Sequence, residues 1–297
     1  MRGAGALPLE DLEDYLASQL GGQVDRLSAT EFAGGASNPT YLLESDHWRA
    51  VLRSKPLGEL ISGAHAIDRE FRVINALGET GFPVPEAILY CDDVEVIGAE
   101  FYLMEYVEGR VLEDFTIPGA RPEERAAVYD SMNETMAQLH GIDPDAVGLS
   151  DFGRPGNYFE RQIDLWMRQY HRQTRSVPRF EDLAGWLTAN MIGDEASAVV
   201  HGDFRLANIV IAPEADEVAT VLDWELSTIG HPLADFAYNL SQWYLPNLDI
   251  AFGKVTLADA DLDELGIPSM KTYVDAYAAR VGASISPGDL SYCICSR

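Results

Sequence analysis

Two short segments of the sequence carry residue types that could perform group-transfer chemistry. The first is His-Gly-Asp-Phe-Arg-Leu-Ala-Asn at 201–208, and the second is Leu-Asp-Trp-Glu at 222–225. Asp203 offers a carboxylate that can orient and deprotonate a hydroxyl group, and Asn208 and Asp223 offer the hard oxygen ligands that Mg²⁺ prefers. Phosphoryl transfer from ATP to a hydroxyl requires this combination of a base and metal ligands. The spacing therefore predicts phosphoryl-transfer chemistry.

The charged residues around this base allow a second interpretation. Arg205 follows Asp203 by two residues. Its guanidinium is expected to neutralise the negative charge of the phosphoryl group during transfer. Alternatively, His201, Asp223 and His231 could join Asp203 in a metal-dependent phosphate hydrolase. That alternative predicts a requirement for a transition metal and no requirement for ATP.

The hydrophobic pattern predicts the elements that position these residues. In the first third of the chain, strands are expected at 27–32, 40–44, 47–53, 82–91 and 94–106, with helices at 9–20 and 64–77. After Gly109, helices are expected at 122–140 and 158–175, and short strands at 198–200, 209–211 and 220–222. The predicted fold class is therefore α+β and bilobal, with a β-rich N-lobe at 1–107 and an α-rich C-lobe at 108–297.

Three motifs of the chain resemble those of one known superfamily. The segments at 201–208 and 222–225, with Gly-His-Pro-Leu-Ala-Asp-Phe-Ala-Tyr at 230–238, are similar to the aminoglycoside phosphotransferase and choline kinase-like superfamily. Within it, the chain resembles the branch related to the kinase-like domains fused to acyl-CoA dehydrogenases in animals. The likeness covers nearly the whole chain. It implies a protein-kinase-like fold, ATP and Mg²⁺ as cofactors, and a small-molecule alcohol as phosphate acceptor.

The resemblance also implies which N-lobe residues hold the nucleotide. A phosphate-binding loop corresponds to the segment 34–41, and its candidate phosphate contacts are Gly34, Gly35, Ser37 and Asn38. Arg53 stands where kinases carry a strand lysine, which is a departure from the usual residue. Glu70 on the following helix is its expected ion-pair partner. The alternative for Glu70 is a position on a solvated helix face.

The remaining positions are assigned by the same resemblance. The backbone of Glu105 and Val107 is expected to bind adenine at the junction of the two lobes. His201 and Asp235 are expected to support the structure of the catalytic loop rather than to react.

The acceptor is expected to be a small molecule. Asp223 and Asp235 are only twelve residues apart, which leaves no room for a peptide-binding segment. On the helix that follows Phe159, Arg161, Arg168 and Arg172 fall on one face and could capture an anionic acceptor, such as a hydroxy acid or a hydroxyacyl-CoA. The alternative is a solvated face. A polycationic aminoglycoside would suit the acidic chain but would not suit this stripe.

The composition narrows the partners further. The chain has 297 residues with 21 basic and 48 acidic side chains, a formal charge of −27, so neither nucleic acid nor an anionic membrane surface is an expected partner. The three cysteines (Cys91, Cys293 and Cys295) lack metal-site spacing, which favours a reducing cytoplasm.

The composition and motifs do not decide the oligomeric state. They also leave open a non-catalytic role as a nucleotide-binding module.

We expect the C-lobe to be truncated relative to the family. Its last residues, with the two cysteines near the end, are expected to form an incidental tail.

Overall fold

The chain divides into two compact units, Met1–Glu108 and Gly109–Arg297. The computed structural model describes residues 7–21, 24, 26–32, 38–56, 66–154, 156–173, 177–193, 196–246 and 256–296. Each unit has its own sheet structure and its own core.

The N-terminal unit is built on one antiparallel sheet of five strands. The strands are β1 (Ser28–Glu31), β2 (Thr40–Glu44), β3 (Arg49–Ser54), β4 (Ala87–Cys91) and β5 (Phe101–Glu105). Their order in the sheet is β1-β2-β3-β5-β4. Two helices accompany the sheet, α1 (Leu9–Leu20) and α2 (Ile67–Gly78).

Both helices of this unit bury one apolar face. Leu12 and Leu16 of α1 are fully buried in a cluster with Leu43, Leu52 and Phe101 of the sheet. Burying a leucine side chain contributes roughly 1.5–3 kcal/mol, so this cluster anchors α1 to the sheet. The packing fixes strand β3, in which Arg53 is paired with Tyr102 of β5.

The C-terminal unit is mostly helical. Its helices are α3 (Pro122–His140), α4 (Tyr158–His171), α5 (Pro178–Ala189), α6 (Pro232–Asn239), α7 (Ser241–Tyr244), α8 (Leu262–Leu265), α9 (Met270–Val281) and α10 (Pro287–Cys295). Its short strands are β6 (Arg110–Val111), β7 (Ala198–Val200), β8 (Ile209–Ile211), β9 (Val218–Val221) and β10 (Thr228–Gly230). They form two small antiparallel sheets, β10-β7 and β6-β8-β9.

Aromatic side chains form the centre of this unit, between α3, α6 and α9. Phe236 of α6 stacks on Tyr277 of α9 with ring centroids 3.9 Å apart. Tyr129 of α3 meets Tyr273 of α9 edge-to-face. All four rings are almost completely buried, and large aromatic side chains dominate the energetics of such cores. Helix α6, which carries Asp235, is therefore held firmly in place.

Some elements differ from those predicted. The expected strand at 94–106 is shortened to β5, because residues 94–99 form turns in which Gly98 has a positive φ of 87°. The expected helix from Tyr158 ends at His171, and α5 was not predicted. The C-terminal residues are not an incidental tail, since they form α10.

Helix α10 belongs to the core of the C-terminal unit. Tyr292 and Cys293 are buried in a cluster with Phe159 and Ala237. Among the described residues, no helix is long and apolar enough to cross a lipid bilayer.

Candidate active site

The loop that joins β7 to β8 is fixed by one buried carboxylate. Oδ2 of Asp235 accepts the backbone N–H of His201 at 2.7 Å, and Oδ1 accepts the N–H of Gly202 at 2.9 Å. Asp235 is fully buried on helix α6. Hydrogen bonds to a buried charged acceptor are stronger than neutral ones, so this carboxylate sets the start of the loop.

Gly202 is required by the path of the loop. Its φ is +88°, a region that L side chains rarely adopt. A Cβ atom placed on it would lie 2.8 Å from the carbonyl oxygen of Leu226 and 2.9 Å from its Cβ. Only glycine lets the chain pass this close to the segment after β9.

The imidazole of His201 connects the loop to the segment that carries Asp223. Nδ1 accepts the backbone N–H of Asp203 at 3.1 Å, so the ring proton lies on Nε2, which donates to the carbonyl of Leu222 at 2.8 Å. The ring is completely buried and packs on Trp224, with centroids 4.6 Å apart. His201 is thus a neutral side chain that connects the two segments by hydrogen bonds.

The carboxylate of Asp203 is surrounded by hydrogen-bond donors. Nδ2 of Asn208 donates to Oδ2 at 2.8 Å and to the Asp203 carbonyl at 2.9 Å. Nε of Arg205 lies 3.2 Å from the carboxylate, and the hydroxyl of Tyr238 donates to Oδ1. The Asp203 side chain is 18% exposed, so it is held and yet reachable from solvent.

Asn208 and the segment that carries Asp223 meet at the open end of the β8–β9 hairpin. Ile209 is paired with Val221, and the N–H of Leu222 donates to the carbonyl of Asn208 at 2.8 Å. Asp223 follows directly, with φ 65° and ψ 61°. Left-handed backbone at a residue other than glycine is strained, and such strain concentrates at functional sites.

The donor set at this end of the hairpin fits Mg²⁺. The amide nitrogen of Asn208 is turned to Asp203, so a metal would be held by its amide oxygen and by the carboxylate of Asp223. Mg²⁺ keeps several waters and needs only one or two protein ligands beside substrate phosphates. Among the described residues, no group of three or more His, Cys, Asp or Glu side chains is arranged to hold a metal.

A buried chain of polar side chains supports Asp235 from behind. Burial raises the pKa of the Tyr277 hydroxyl, which therefore keeps its proton. This hydroxyl lies 2.6 Å from Nδ1 of His140, and Nε2 of His140 lies 3.3 Å from Oδ2 of Asp235. The ring of His140 thus links the Tyr277 hydroxyl to the carboxylate of Asp235.

The N-terminal unit contains the expected pair of Arg53 and Glu70. Nε of Arg53 lies 3.2 Å from Oε2 of Glu70, and the side chains are 11% and 1% exposed. Glu70 is therefore a buried residue of α2 and not part of a solvated face. A nearly buried ion pair holds the guanidinium in a fixed place, since separating it would leave a buried charge.

The other predicted nucleotide-binding positions are described only in part. Gly34, Gly35 and Ser37 lie outside the described residues. Asn38 is 2% exposed, and its carbonyl accepts the hydroxyl of Thr40 at the start of β2.

The predicted adenine-binding segment follows strand β5. The carboxylate of Glu105 accepts the N–H of Glu86, and the ring of Tyr106 carries the guanidinium of Arg49 above it at 4.8 Å. Val107 comes next and is half-buried. These contacts fix the segment whose backbone is expected to meet adenine.

Comparison with known proteins assigns the family. The sequence profile of the phosphotransferase enzyme family matches residues 28–266, which span most of each unit and contain all the motifs described above. The chain belongs to this family. The predicted resemblance and the predicted kinase-like fold class are thus confirmed.

Curated relatives of this phosphotransferase include much longer proteins. The chain is 42% identical over 274 residues to acyl-CoA dehydrogenase family member 11 of Homo sapiens, covering 90% of the chain and 35% of that protein. It is 41% identical over 280 residues to acyl-CoA dehydrogenase family member 10 of Mus musculus, covering 93% of the chain and 26% of that protein. The chain therefore spans about a third or less of the length of these relatives.

Solved structures show the same fold. A protein from Ralstonia eutropha, provisionally assigned as an aminoglycoside phosphotransferase, is 38% identical, with a TM-score of 0.86 over 98% of this chain and 86% of that one. An aminoglycoside phosphotransferase from Streptomyces rimosus, in complex with ADP and streptomycin, is 18% identical. Its TM-score is 0.62, over 96% of this chain and 97% of that one.

The three arginines of the predicted acceptor stripe have different surroundings in this phosphotransferase. The guanidinium of Arg161 donates to the carbonyls of Gly156 and Arg154, the latter at 2.6 Å. Arg161 thus stabilises the loop before α4 by donating hydrogen bonds to backbone carbonyls of that loop. Arg168 and Arg172 are exposed.

Both histidines of the alternative hydrolase site form hydrogen bonds with backbone groups. Both ring nitrogens of His201 bond to backbone groups. Nδ1 of His231 accepts the N–H of Leu233 as the N-cap of α6, and its ring packs on Phe159. The geometry therefore does not favour a transition-metal site at these histidines.

Tyr238 is the functional candidate that sequence reasoning missed. It lies in the motif 230–238, three residues after Asp235 on α6, and this spacing places both residues on one side of the helix. The spacing was a usable signal, because Asp235 was already expected to face the catalytic loop.

Proposed function

We propose that this protein is a Mg-ATP-dependent phosphotransferase that phosphorylates an alcohol group of a small molecule. The observation that carries the proposal is the cluster in the C-terminal unit. The carboxylate of Asp203 bonds to Asn208, and Asn208 meets the segment of Asp223 at the end of one hairpin. This is the combination of a base and two metal ligands that the reaction needs.

Each residue of the cluster has a separate task. Asp203 orients the acceptor hydroxyl and takes its proton, which raises the nucleophilicity of the oxygen. Asn208 and Asp223 hold Mg²⁺, which when bound neutralises charge on the phosphates. Arg205 is 43% exposed, and its remaining N–H groups stabilise the charge of the transferring phosphoryl group.

The nucleotide is held by residues of the N-terminal unit. Arg53, fixed by Glu70, pairs with the phosphates in place of the usual lysine. Gly34, Gly35, Ser37 and Asn38 are the further proposed phosphate contacts. The backbone at Glu105 and Val107 binds adenine.

The acceptor proposed first is a hydroxy acid or a hydroxyacyl-CoA. The relatives named acyl-CoA dehydrogenase family members support this choice, and the exposed guanidinium groups of Arg168 and Arg172 can bind a carboxylate or phosphate. An aminoglycoside is the second candidate. It is favoured by the net charge of −27 and by the structural similarity to a streptomycin-bound relative.

Ligand-dependent thermal stability separates these candidates. ATP with Mg²⁺ is expected to raise the melting temperature, because a ligand that binds only the folded state stabilises it by mass action. Hydroxy acids, hydroxyacyl-CoAs, choline and aminoglycosides are then added in turn, each with Mg²⁺ and a non-hydrolysable ATP analogue. We expect a further rise with a hydroxyacyl-CoA. No rise with Mg-ATP would contradict the proposed function, and a rise with aminoglycosides alone would select the second candidate.

A further inference from the structure

Three side chains among the described residues donate hydrogen bonds to the carboxylate of Asp203. Asn208 bonds to Oδ2, Arg205 approaches with Nε at 3.2 Å, and Tyr238 donates its hydroxyl to Oδ1. Asn208 has a task as a proposed metal ligand, and Arg205 has a task at the phosphoryl group. The hydroxyl of Tyr238 has no such task assigned.

Helix α6 positions the catalytic loop at two points. Asp235 holds the backbone of His201 and Gly202, and Tyr238, one helical turn later, holds the carboxylate of Asp203. Asp235 is fully buried and Tyr238 is half-buried. The helix therefore orients the side chain of the base as well as its loop.

An ionised carboxylate offers about four lone-pair directions, and three of those on Asp203 face protein donors. About one direction is left for an incoming hydroxyl. An acceptor that is bound and oriented can use it, whereas a freely tumbling water molecule meets the base in the right direction only rarely.

We propose that Tyr238 is a positioning residue that restricts Asp203 to one direction of proton acceptance and so favours the bound alcohol over water. This inference rests on the proposed function and deepens it. Without the Tyr238 hydroxyl, the carboxylate loses one of its three restraints, and Oδ1 can accept a proton from water. ATP would then be hydrolysed at the expense of transfer to the alcohol.

The test compares two products of one reaction in wild-type protein and in Tyr238→Phe. Phosphorylated acceptor and free phosphate are both measured with Mg-ATP and the acceptor that the wild type uses in the panel above, beginning with a hydroxyacyl-CoA. We expect transfer to fall about tenfold in the variant, because a misoriented base loses part of the gain from general-base catalysis. Phosphate release is expected not to fall, so the ratio of the two falls about tenfold.

Tyr244→Phe is the matched control. It also removes one hydroxyl from a half-buried tyrosine, whose oxygen lies 3.4 Å from the carbonyl of Ala237. Its product ratio should equal that of the wild type. Tyr238→His keeps a polar ring with an N–H donor, and its ratio should lie between those of Tyr238→Phe and the wild type.

Each of the following outcomes would overturn the inference. An unchanged ratio in Tyr238→Phe, with both rates kept, would show that the hydroxyl does not direct the base. An unchanged ratio with both rates reduced equally would indicate a structural role only. Equal ratios in the histidine and phenylalanine variants would show that the donor itself is irrelevant. A wild-type protein that transfers no phosphate to any alcohol would overturn the proposed function, and this inference with it.

Discussion

At the scale of single residues, the candidate chemistry depends on where hydrogen bonds direct common side chains. The amide of Asn208 donates its N–H to Asp203 and so presents its oxygen in another direction, which is what a metal ligand requires. Asp223 occupies left-handed backbone with φ 65°, and this unusual conformation turns the chain sharply after β9. Both features bring oxygen atoms to one end of the hairpin.

Replacing Asp223 by Asn tests the metal site. The change keeps the size of the side chain but removes its charge, so the Mg²⁺ concentration needed for half-maximal activity should rise by about tenfold or more. The measurement is a Mg²⁺ titration of activity at fixed ATP.

Asp216→Asn serves as the control for this titration. Asp216 lies in the turn between β8 and β9 and pairs with Arg110 at 2.9 Å. The control should leave the Mg²⁺ dependence unchanged. An unaltered Mg²⁺ requirement in Asp223→Asn would remove Asp223 from the metal site.

At the scale of elements, the loop from β7 to β8 is held from several sides. Helix α6 supplies Asp235, the segment after β9 accepts the hydrogen bond from His201, and Gly202 passes close to Leu226. The loop has little freedom of its own, which is the preorganisation that catalysis by positioning needs.

Gly202→Ala tests how tightly the loop is enclosed. Positive φ at a residue with a Cβ costs about 1–2 kcal/mol, and the close contact with the Leu226 carbonyl adds to this cost. The free energy of unfolding should therefore decrease by about 2 kcal/mol or more. Gly185→Ala in helix α5 is the matched control, because a Cβ there meets no atom within 4 Å. The control should raise stability by about 0.4–1 kcal/mol. Urea unfolding of both variants checks the difference, and equal stabilities would contradict it.

Elements with strong local signals could be predicted from the sequence. Helix α3 lies between Pro122 and Gly141, and its predicted bounds match the structure. Helix α5 was missed, because Gly185 in its middle is a poor helix former. Strand β10 was missed because it has only three residues and exists through its pairing with β7, far away in sequence.

The same difference between local signals and contacts of distant segments applies to the candidate site. The motif at 201–208 and Asp223 could be predicted, because their types and spacing carry the chemistry. Tyr238 was missed although its spacing from Asp235 placed it on the side of α6 that was expected to face the loop. Which loop atom its hydroxyl contacts depends on the placement of α6 beside the loop. The hydrogen bonds from Arg161 to loop carbonyls could not be predicted either, because residue types do not show which backbone carbonyls will accept a hydrogen bond from a side chain.

At the scale of the whole molecule, the chain joins two units whose cores are built differently. The N-terminal cluster between α1 and the sheet is mainly aliphatic, with Phe101 among its leucines. The C-terminal core is rich in tyrosine, with Tyr129, Tyr273 and Tyr277 all buried. We therefore expect the stability of the C-terminal unit to decrease at alkaline pH.

Burial raises the pKa of the Tyr129, Tyr273 and Tyr277 hydroxyls above the ordinary value of 10. The folded state therefore keeps protons that the unfolded chain releases. The stabilisation is complete below pH 10 and is lost as the pH rises above it, by about 1.4 kcal/mol per pH unit for each tyrosine. Urea unfolding of the C-terminal unit between pH 9 and 11 should show this decline.

Tyr273→Phe removes one of these titrating groups. It should reduce the slope of stability against pH above pH 10 by about 1.4 kcal/mol per pH unit. A stability that does not change between pH 9 and 11 would contradict the protonated, buried state of these tyrosines.

The most direct test of the central claim is phosphoryl transfer by Asp203→Asn compared with the wild type. The phosphorylated alcohol is quantified by mass spectrometry, and Mg-ATP binding is measured by calorimetry on the same samples. In the proposed mechanism Asp203 takes the hydroxyl proton and is not a ligand of metal or nucleotide. Transfer should therefore fall by about 10²–10⁴-fold while Mg-ATP affinity stays within about twofold. Turnover equal to that of the wild type would contradict the assignment of Asp203 as the base and the mechanism built on it.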